Sequence, residues 1–320
     1  MRILITGGFG FIGGRLATDL FRAGHEVVIG TRHPVSSPDW LPQSDVVKMV
    51  WDDEVSLSRS CDGIDAIIHA AGMNAQDCDA DPVSALGFNG LATAKLVAAA
   101  GRENVKRFIY LSTAHVYSGK LTGVITEETC PRNTHPYATS HLAGENIVLN
   151  ANQQGQIDGI VLRLSNVFGA PMQNEVNCWT LLANDLCRQI SNTRKLVLRS
   201  NGNQRRDFIS MSEICRILQH ITTYGADTLS TKVINVGSGT SQTVYEISKL
   251  IQSRCKILLG FEPEILRPII GFPEKAETFV YKTNRLAELG LNVSIDNTFE
   301  IDNLITFCQA SFKKSYRDNV

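Results

Sequence analysis

The chain carries almost no excess of charge: 31 basic against 32 acidic residues in 320 leave a formal net charge of −1. Without a basic surplus or a basic run there is no electrostatic handle for a nucleic-acid backbone or an anionic membrane, so neither is expected as a partner. Apolar runs long enough to span a bilayer are missing, and no charged-then-apolar leader precedes the first strand. The eight cysteines form no CxxC pair and no Cys/His spacing typical of zinc. They read as reduced thiols of a cytoplasmic protein with no metal site. Internal repeats and low-complexity linkers are lacking too. What remains is an ordinary globular composition, 43% hydrophobic and 20% charged, with chain enough for one large or two modest domains.

Against that plain background one segment stands out. Arg2-Ile3-Leu4-Ile5 reads as a buried parallel strand, and Thr6-Gly7-Gly8-Phe9-Gly10-Phe11-Ile12-Gly13 follows it directly. Phe11, Ile12, Leu16, Leu20 and Phe21 then recur at helical spacing until Gly24 supplies a stop. Strand, glycine turn and helix form the context in which a backbone approaches a pyrophosphate. Gly7, Gly10 and Gly13, with Phe11 and Ile12 opening the helix, are therefore candidate dinucleotide contacts.

A second absence selects among dinucleotides. A strand ending near Ile29 is followed by Gly30-Thr31-Arg32-His33, with no Asp or Glu to grip ribose hydroxyls. Arg32 can pair with a 2′-phosphate and Thr31 can donate to it, unless Arg32 is merely solvated. NADP is favoured, with NAD as the alternative. Asp52 and Asp53 follow the third strand, Asp52 as an acceptor for the adenine amino group or both as a solvated strand-end pair.

Apolar strands are expected at 2–5, 25–30, 46–50, 65–70, 107–112 and 159–164, with helical patterns between them, including 85–100 and 137–153. This alternation predicts an α/β fold with a doubly wound parallel Rossmann sheet. Beyond residue 168 loops lengthen and elements shorten, as in a smaller C-terminal substrate-binding lobe. The expected division is 1–168 for the dinucleotide-binding domain, its sheet completed at about 230–240, and 169–320 mainly for the second lobe.

The strand at 107–112 ends in Ser112-Thr113, which puts hydroxyls at the carboxyl edge of the sheet, where ligands of such folds bind. Tyr137 and His141 stand four positions apart and share one face of a helix.

These blocks together resemble an extended short-chain dehydrogenase/reductase of the nucleotide-sugar epimerase, dehydratase and ketoreductase group, over nearly the whole length. His69-Ala70-Ala71-Gly72 is similar to the family's segment flanking the cofactor, which implies contacts from Ala70, Ala71 and Gly72. Asn89 matches an asparagine that opens the family's dimer helix, and it is counted here among the cofactor residues. Leu111-Ser112-Thr113-Ala114-His115-Val116-Tyr117 resembles the active-site strand, with Thr113 as catalytic hydroxyl and Ser112 beside the cofactor. Arg163-Leu164-Ser165-Asn166-Val167-Phe168-Gly169 resembles the turn that meets nicotinamide and substrate, placing Asn166 at the sugar. Gly202-Asn203-Gln204-Arg205-Arg206-Asp207-Phe208-Ile209 resembles a segment whose arginine holds a diphosphate, and a guanidinium such as Arg206 forks onto phosphate oxygens. Ile234-Asn235-Val236-Gly237-Ser238-Gly239 matches another family signature. The resemblance implies an oxidoreductase or epimerase of a nucleotide diphosphate sugar, catalytic Thr113, Tyr137 and His141, and a homodimer through the helices near 85–100 and 137–153.

One position departs from the pattern. The family places lysine four residues after the tyrosine, and here stands His141. A phenol near pKa 10 is a poor base at neutral pH, and a histidine near 6.5 supplies little permanent charge to depress it. His141 either substitutes for the lysine, or His115 acts as acid/base from the substrate side, or the chain is a catalytically impaired NADP(H)-binding regulatory or scaffold protein. For His115 the plainer reading is a polar residue in the pocket wall. Ala114 stands where the family's dehydratases carry an acid, which disfavours dehydration.

Overall fold

The computed structural model describes residues 1–33, 36–225, 231–268 and 277–312. Its frame is a seven-stranded parallel sheet containing β1 (Arg2–Thr6), β2 (Glu26–Thr31), β3 (Asp45–Lys48), β4 (Ala66–His69) and β5 (Arg107–Thr113). Asp158–Leu164 and Val233–Val236 complete it, in the order Val233–Val236, Asp158–Leu164, β5, β4, β1, β2, β3. Ile3, Leu4 and Ile5 have no exposed surface, as expected of a strand covered by helices on both faces. One face packs Ile3, Ile5 and Ile29 against Leu16 and Leu20 of the first helix, Phe11–Arg22. The other packs Leu4, Val28 and Ile67 against Leu57, Leu96 and Val97.

The chain runs outward from β1 to β2 and β3, then crosses back to β4 on the other side. That reversal opens a crevice at the carboxyl edge, between strands ending in Thr6 and His69. The third strand ends at Lys48, and the Met49 side chain lies under Gly30, where a Cβ would meet Met49 Sδ at 2.6 Å.

The helix expected at 85–100 forms as Pro82–Arg102, widened into a π turn over Leu86–Ala92. Gly87 and Gly90 remove side-chain restraint there, and the Thr93 hydroxyl donates to the Asn89 carbonyl at 2.7 Å. This stretch corrects the statement that no segment is long and apolar enough for a bilayer. By length and composition it is, with 21 residues, and half of its apolar window is buried. Leu96, Val97, Ala99 and Ala100 lie in the core beneath the sheet, the arrangement of a core helix.

The second half of the chain is shared between two cores. Val233–Val236 joins the main sheet beside Asp158–Leu164, with Val236 opposite Leu164. The helix Met211–Thr223 packs Ile214, Ile217, Leu218 and Ile221 into the core of the first helix. Arg107 of β5 fastens its end, donating to the Ile221 carbonyl at 2.6 Å while bound to Asp158 at 2.7 Å. The smaller core gathers Leu186, Ile190, Phe208, Ile247, Ile251, Ile301 and Leu304 around the strands Asn166–Phe168, Arg205–Ser210 and Ser241–Thr243. All eight cysteines are free thiols, and only Cys130 is exposed.

Candidate active site

Gly7 takes φ +67, a conformation that favours glycine, and a Cβ there would stand 2.9 Å from Ala71 Cα. Gly10 donates to the Gly7 carbonyl at 2.8 Å and begins the first helix without a side-chain cap. The first N–H groups of Phe11–Arg22 are thus left for an anion. Gly13 serves differently. It lies behind the turn, where a Cβ would come within 2.8 Å of Gly8 Cα, and lets helix and strand touch.

From this cradle a groove of about 270 Å³ runs past Gly7, Gly10, Thr31, Arg32, Ala70, Ala71 and Gly72. Its walls include Trp51 and Phe88, whose rings meet edge to face at 5.4 Å, and Arg32 lies over Phe88 at 5.2 Å. Through Ala70 and Gly72 the groove continues into a second cleft of about 290 Å³. This one is lined by Phe11, Ile12, Ser112, Thr113, His115, Tyr137, His141 and Asn166, together with Met73, Asn74, Leu164 and Leu181. A cradle that a methyl group would fill, followed by two joined hollows, fits a dinucleotide.

Tyr137 and His141 rise from the helix Pro136–Gln153, which starts with Pro136 in its first turn and the His135 ring accepting from Tyr137 N. The two rings sit edge to face at 4.6 Å. Thr113 ends β5, accepts from His115 N at 3.1 Å through its hydroxyl oxygen, and hydrogen-bonds the Tyr137 phenol. Burial pushes the Tyr137 pKa above its ordinary value, with the Thr113 bond opposing. His141 is 7% exposed, and burial pulls its pKa down to about 4. At neutral pH the site therefore holds a neutral imidazole beside a protonated phenol. The pKa of His115, which opens onto the cleft, is lowered by the packed walls and by Arg206.

Asp52, Asn89 and Arg206 stand apart from these hollows, and Ser112 lines the cleft with its hydroxyl turned away. Asp52 is turned outward, its carboxylate 93% exposed and paired with Lys95 at 2.6 Å, while its neighbour Trp51 takes the groove wall. Asn89 is buried and accepts from Met73 N at 2.9 Å while donating to Ser140 Oγ at 3.0 Å, so it holds the cleft's rim in place. Ser112 reaches the cleft wall, yet its hydroxyl donates to Glu145 at 2.5 Å. Glu145 in turn grips Arg163, which donates to Tyr117 at 2.9 Å, a buried network behind the active strand. Arg206 is half-buried, donates to Gln204 at 3.0 Å, and has no carboxylate within ion-pair distance among the described residues.

The aromatic walls were not legible beforehand. Nothing in the spacing of Trp51 distinguishes it from Asp52, since the loop after β3 decides which of two neighbours faces inward. In the sequence His69 stands only as the first residue of His69-Ala70-Ala71-Gly72. It bridges the Thr6 hydroxyl at 2.6 Å and the Thr93 hydroxyl at 3.0 Å, and burial takes its pKa to about 3.

A parallel sheet with a glycine cradle at its switch point, leading to a paired tyrosine and threonine, defines a Rossmann-type nicotinamide-dinucleotide oxidoreductase. Residues 3–237 match the NAD-dependent epimerase/dehydratase family, and the chain belongs to that family. Its relatives include dTDP-glucose 4,6-dehydratase of Streptomyces niveus, 27% identical over 80% of this chain and 78% of the relative. Another is dTDP-6-deoxy-L-talose 4-dehydrogenase (NAD(P)(+)) of Kitasatospora kifunensis, 29% identical over 78% of each. Among solved structures, MoeE5 in complex with UDP-glucuronic acid and NAD superposes with a TM-score of 0.78, at 25% identity, covering 97% of this chain and all of that one. RMD from Pseudomonas aeruginosa complexed with NADPH gives 0.76 at 22% identity, covering 97% and 99%.

Proposed function

We propose that the protein is an NADP(H)-dependent epimerase or ketoreductase of a nucleotide diphosphate sugar, with Tyr137 as the proton-transferring group. The observation that carries this reading is the Thr113–Tyr137–His141 set, placed in a cleft continuous with the glycine cradle. The relatives' names, which pair dTDP-sugars with dehydratase and dehydrogenase activity, support the substrate class. Arg32 in the groove, with no acid at 30–33, supports NADP(H) over NAD(H).

A nicotinamide dinucleotide held by the glycine cradle and the two joined hollows would supply hydride exchange with a sugar carbon. Thr113 orients the reacting sugar oxygen and the Tyr137 phenol toward each other, and Tyr137 passes the proton. Because the phenol rests protonated, Tyr137 is ready to protonate an oxygen that gains charge as a ketone is reduced. The opposite direction first requires loss of that proton, and a neutral His141 contributes no charge to help it. Reduction is the favoured direction. Asn166 and His115, in the cleft lining, are assigned to the sugar, and Arg206, outside that lining but acting on His115, to the diphosphate.

The cleft lining contains no Lys, Arg, Asp or Glu among the described residues, and the nearby cation is Arg206, which acts on His115; this supports a sugar without a charge at its reacting end. Dimerisation belongs to the same reading, through the Pro82–Arg102 helix, where Leu86 and Leu91 are 53% and 57% exposed.

The test is turnover of nucleotide keto sugars with NADPH by the wild type and by Tyr137→Phe. Removal of a positioned acid costs about 10²- to 10⁴-fold in kcat. An unchanged rate and product in Tyr137→Phe would sink the assignment. Tight NADP(H) binding with no affinity for any nucleotide sugar would instead assign the regulatory or scaffold role, which the neutral His141 favours.

A further inference from the structure

His141 is held from behind by a residue outside the expected catalytic set. The phenol of Tyr110, on β5, lies 3.1 Å from His141 Nδ1, with ring centroids 5.9 Å apart. Tyr110 is 2% exposed, and the space for its ring is built into the helix above it. Gly144 follows His141 by three positions on the same helical face. A Cβ at Gly144 would stand 2.6 Å from Tyr110 Cζ and 2.8 Å from the Asn89 carbonyl. The opposite edge of the imidazole faces the cofactor cleft: a Cβ on Gly72 would lie 3.7 Å from His141 Cε1 and 3.9 Å from Nε2.

We propose that Tyr110 is a positioning residue that donates its hydroxyl proton to His141 Nδ1 and thereby presents an Nε2–H donor to the cofactor. A phenol hydroxyl is a strong donor and a weak acceptor, whereas a bare imidazole nitrogen is a strong acceptor, which sets the direction of the bond. Burial of Tyr110 keeps it protonated. On the far side, the Thr93 hydroxyl also hydrogen-bonds the Tyr110 phenol; with its own proton spent on the Asn89 carbonyl it competes for the Tyr110 proton only as a hydroxyl oxygen, a weaker acceptor than the bare imidazole nitrogen of His141. A fixed neutral donor thus occupies the place where the resemblance puts a charged one. This role rests on the cofactor occupying the cleft and not on the identity of the sugar.

The experiment is ¹⁵N NMR of the folded protein labelled at its seven histidine rings, with the His141 signals identified by their loss in His141→Gln. The wild type is expected to show an unprotonated Nδ1 and a protonated Nε2 at residue 141. Tyr110→Phe retains the ring packing but removes the hydrogen bond. It is expected to mix the two tautomers and weaken NADPH binding by about 3- to 10-fold. Gly144→Ala, which displaces the phenol, should do the same. A wild-type Nδ1–H tautomer overturns the proposal without any variant, as does a tautomer unchanged in Tyr110→Phe. Both readouts need no substrate, so failure of the sugar assignment leaves them standing, and their failure leaves the Tyr137 assignment intact.

Discussion

Tyr137 and His141 stand one helical turn apart with their rings edge to face at 4.6 Å. The relation is close enough for a charge on one to govern the proton of the other, yet burial keeps both uncharged. Pairing a buried phenol with a neutral imidazole favours proton donation over proton abstraction.

Replacing His141 by lysine should reverse that balance. An ammonium beside the phenol lowers its pKa, so His141→Lys is expected to raise the oxidative rate at neutral pH by at least about 10-fold, one pKa unit of change. The oxidative pH–rate profile should move to lower pH. Initial rates in both directions between pH 6 and 10 check this, and an oxidative profile that stays in place refutes it.

Arg32 lies over Phe88 in the groove with no acid in the segment 30–33. Removing a charge-assisted bond to a 2′-phosphate costs about 1.5–3 kcal/mol, or roughly 10- to 100-fold in affinity. Arg32→Ala should lose that factor for NADPH while leaving NADH binding within about twofold. Fluorescence titration of both cofactors measures it; equal losses for the two would show that Arg32 reads no phosphate.

Stability should fall in mild acid. Burial lowers His69 to about 3 and His141 to about 4, both under the ordinary histidine value near 6.5. Above about 6.5 both states are neutral and the contribution is complete; below it the unfolded chain binds protons that the folded chain refuses. The loss therefore runs from about pH 6.5 down to the folded values and reaches a few kcal/mol. Urea midpoints at pH 7 and 5 should differ clearly in the wild type and less in His141→Gln.

An uncharged cleft predicts discrimination against uronic acids. UDP-glucose should inhibit turnover at least about 10-fold more tightly than UDP-glucuronic acid, since a carboxylate would be buried without a cation. Tighter binding of the uronate would place a cation in the site that the lining does not show.

Arg107 begins β5 and links it to the end of Met211–Thr223, at the opposite end of the strand from Ser112 and Thr113 in the cleft. Its loss leaves Asp158, 13% exposed at its side chain, with Lys232 as its one cation among the described residues. Arg107→Ala should cost about 3–5 kcal/mol of unfolding free energy while the folded fraction keeps wild-type kcat. Denaturant melts and active-site-normalised rates separate the two effects.

The sheet and the cradle can be read from the amino-acid order alone, because both are written in local chemistry. A buried parallel strand needs an unbroken apolar run such as Ile3–Leu4–Ile5, and the turn after it needs glycine at Gly7, where φ is positive. Thr113 at a strand end and the spacing of Tyr137 and His141 followed from the same local rules. What those side chains meet depends on how distant segments pack. Trp51 faces the groove and Asp52 faces solvent because a loop turned one way. Gly144 appears as an unremarked glycine until the phenol of Tyr110, 34 positions earlier, is found beneath it. The charge states of His141 and Tyr137 belong to the same class. They depend on how much water and which neighbours the fold leaves around each group, and those neighbours arrive from β5 and from the segment around Gly72, distant along the chain.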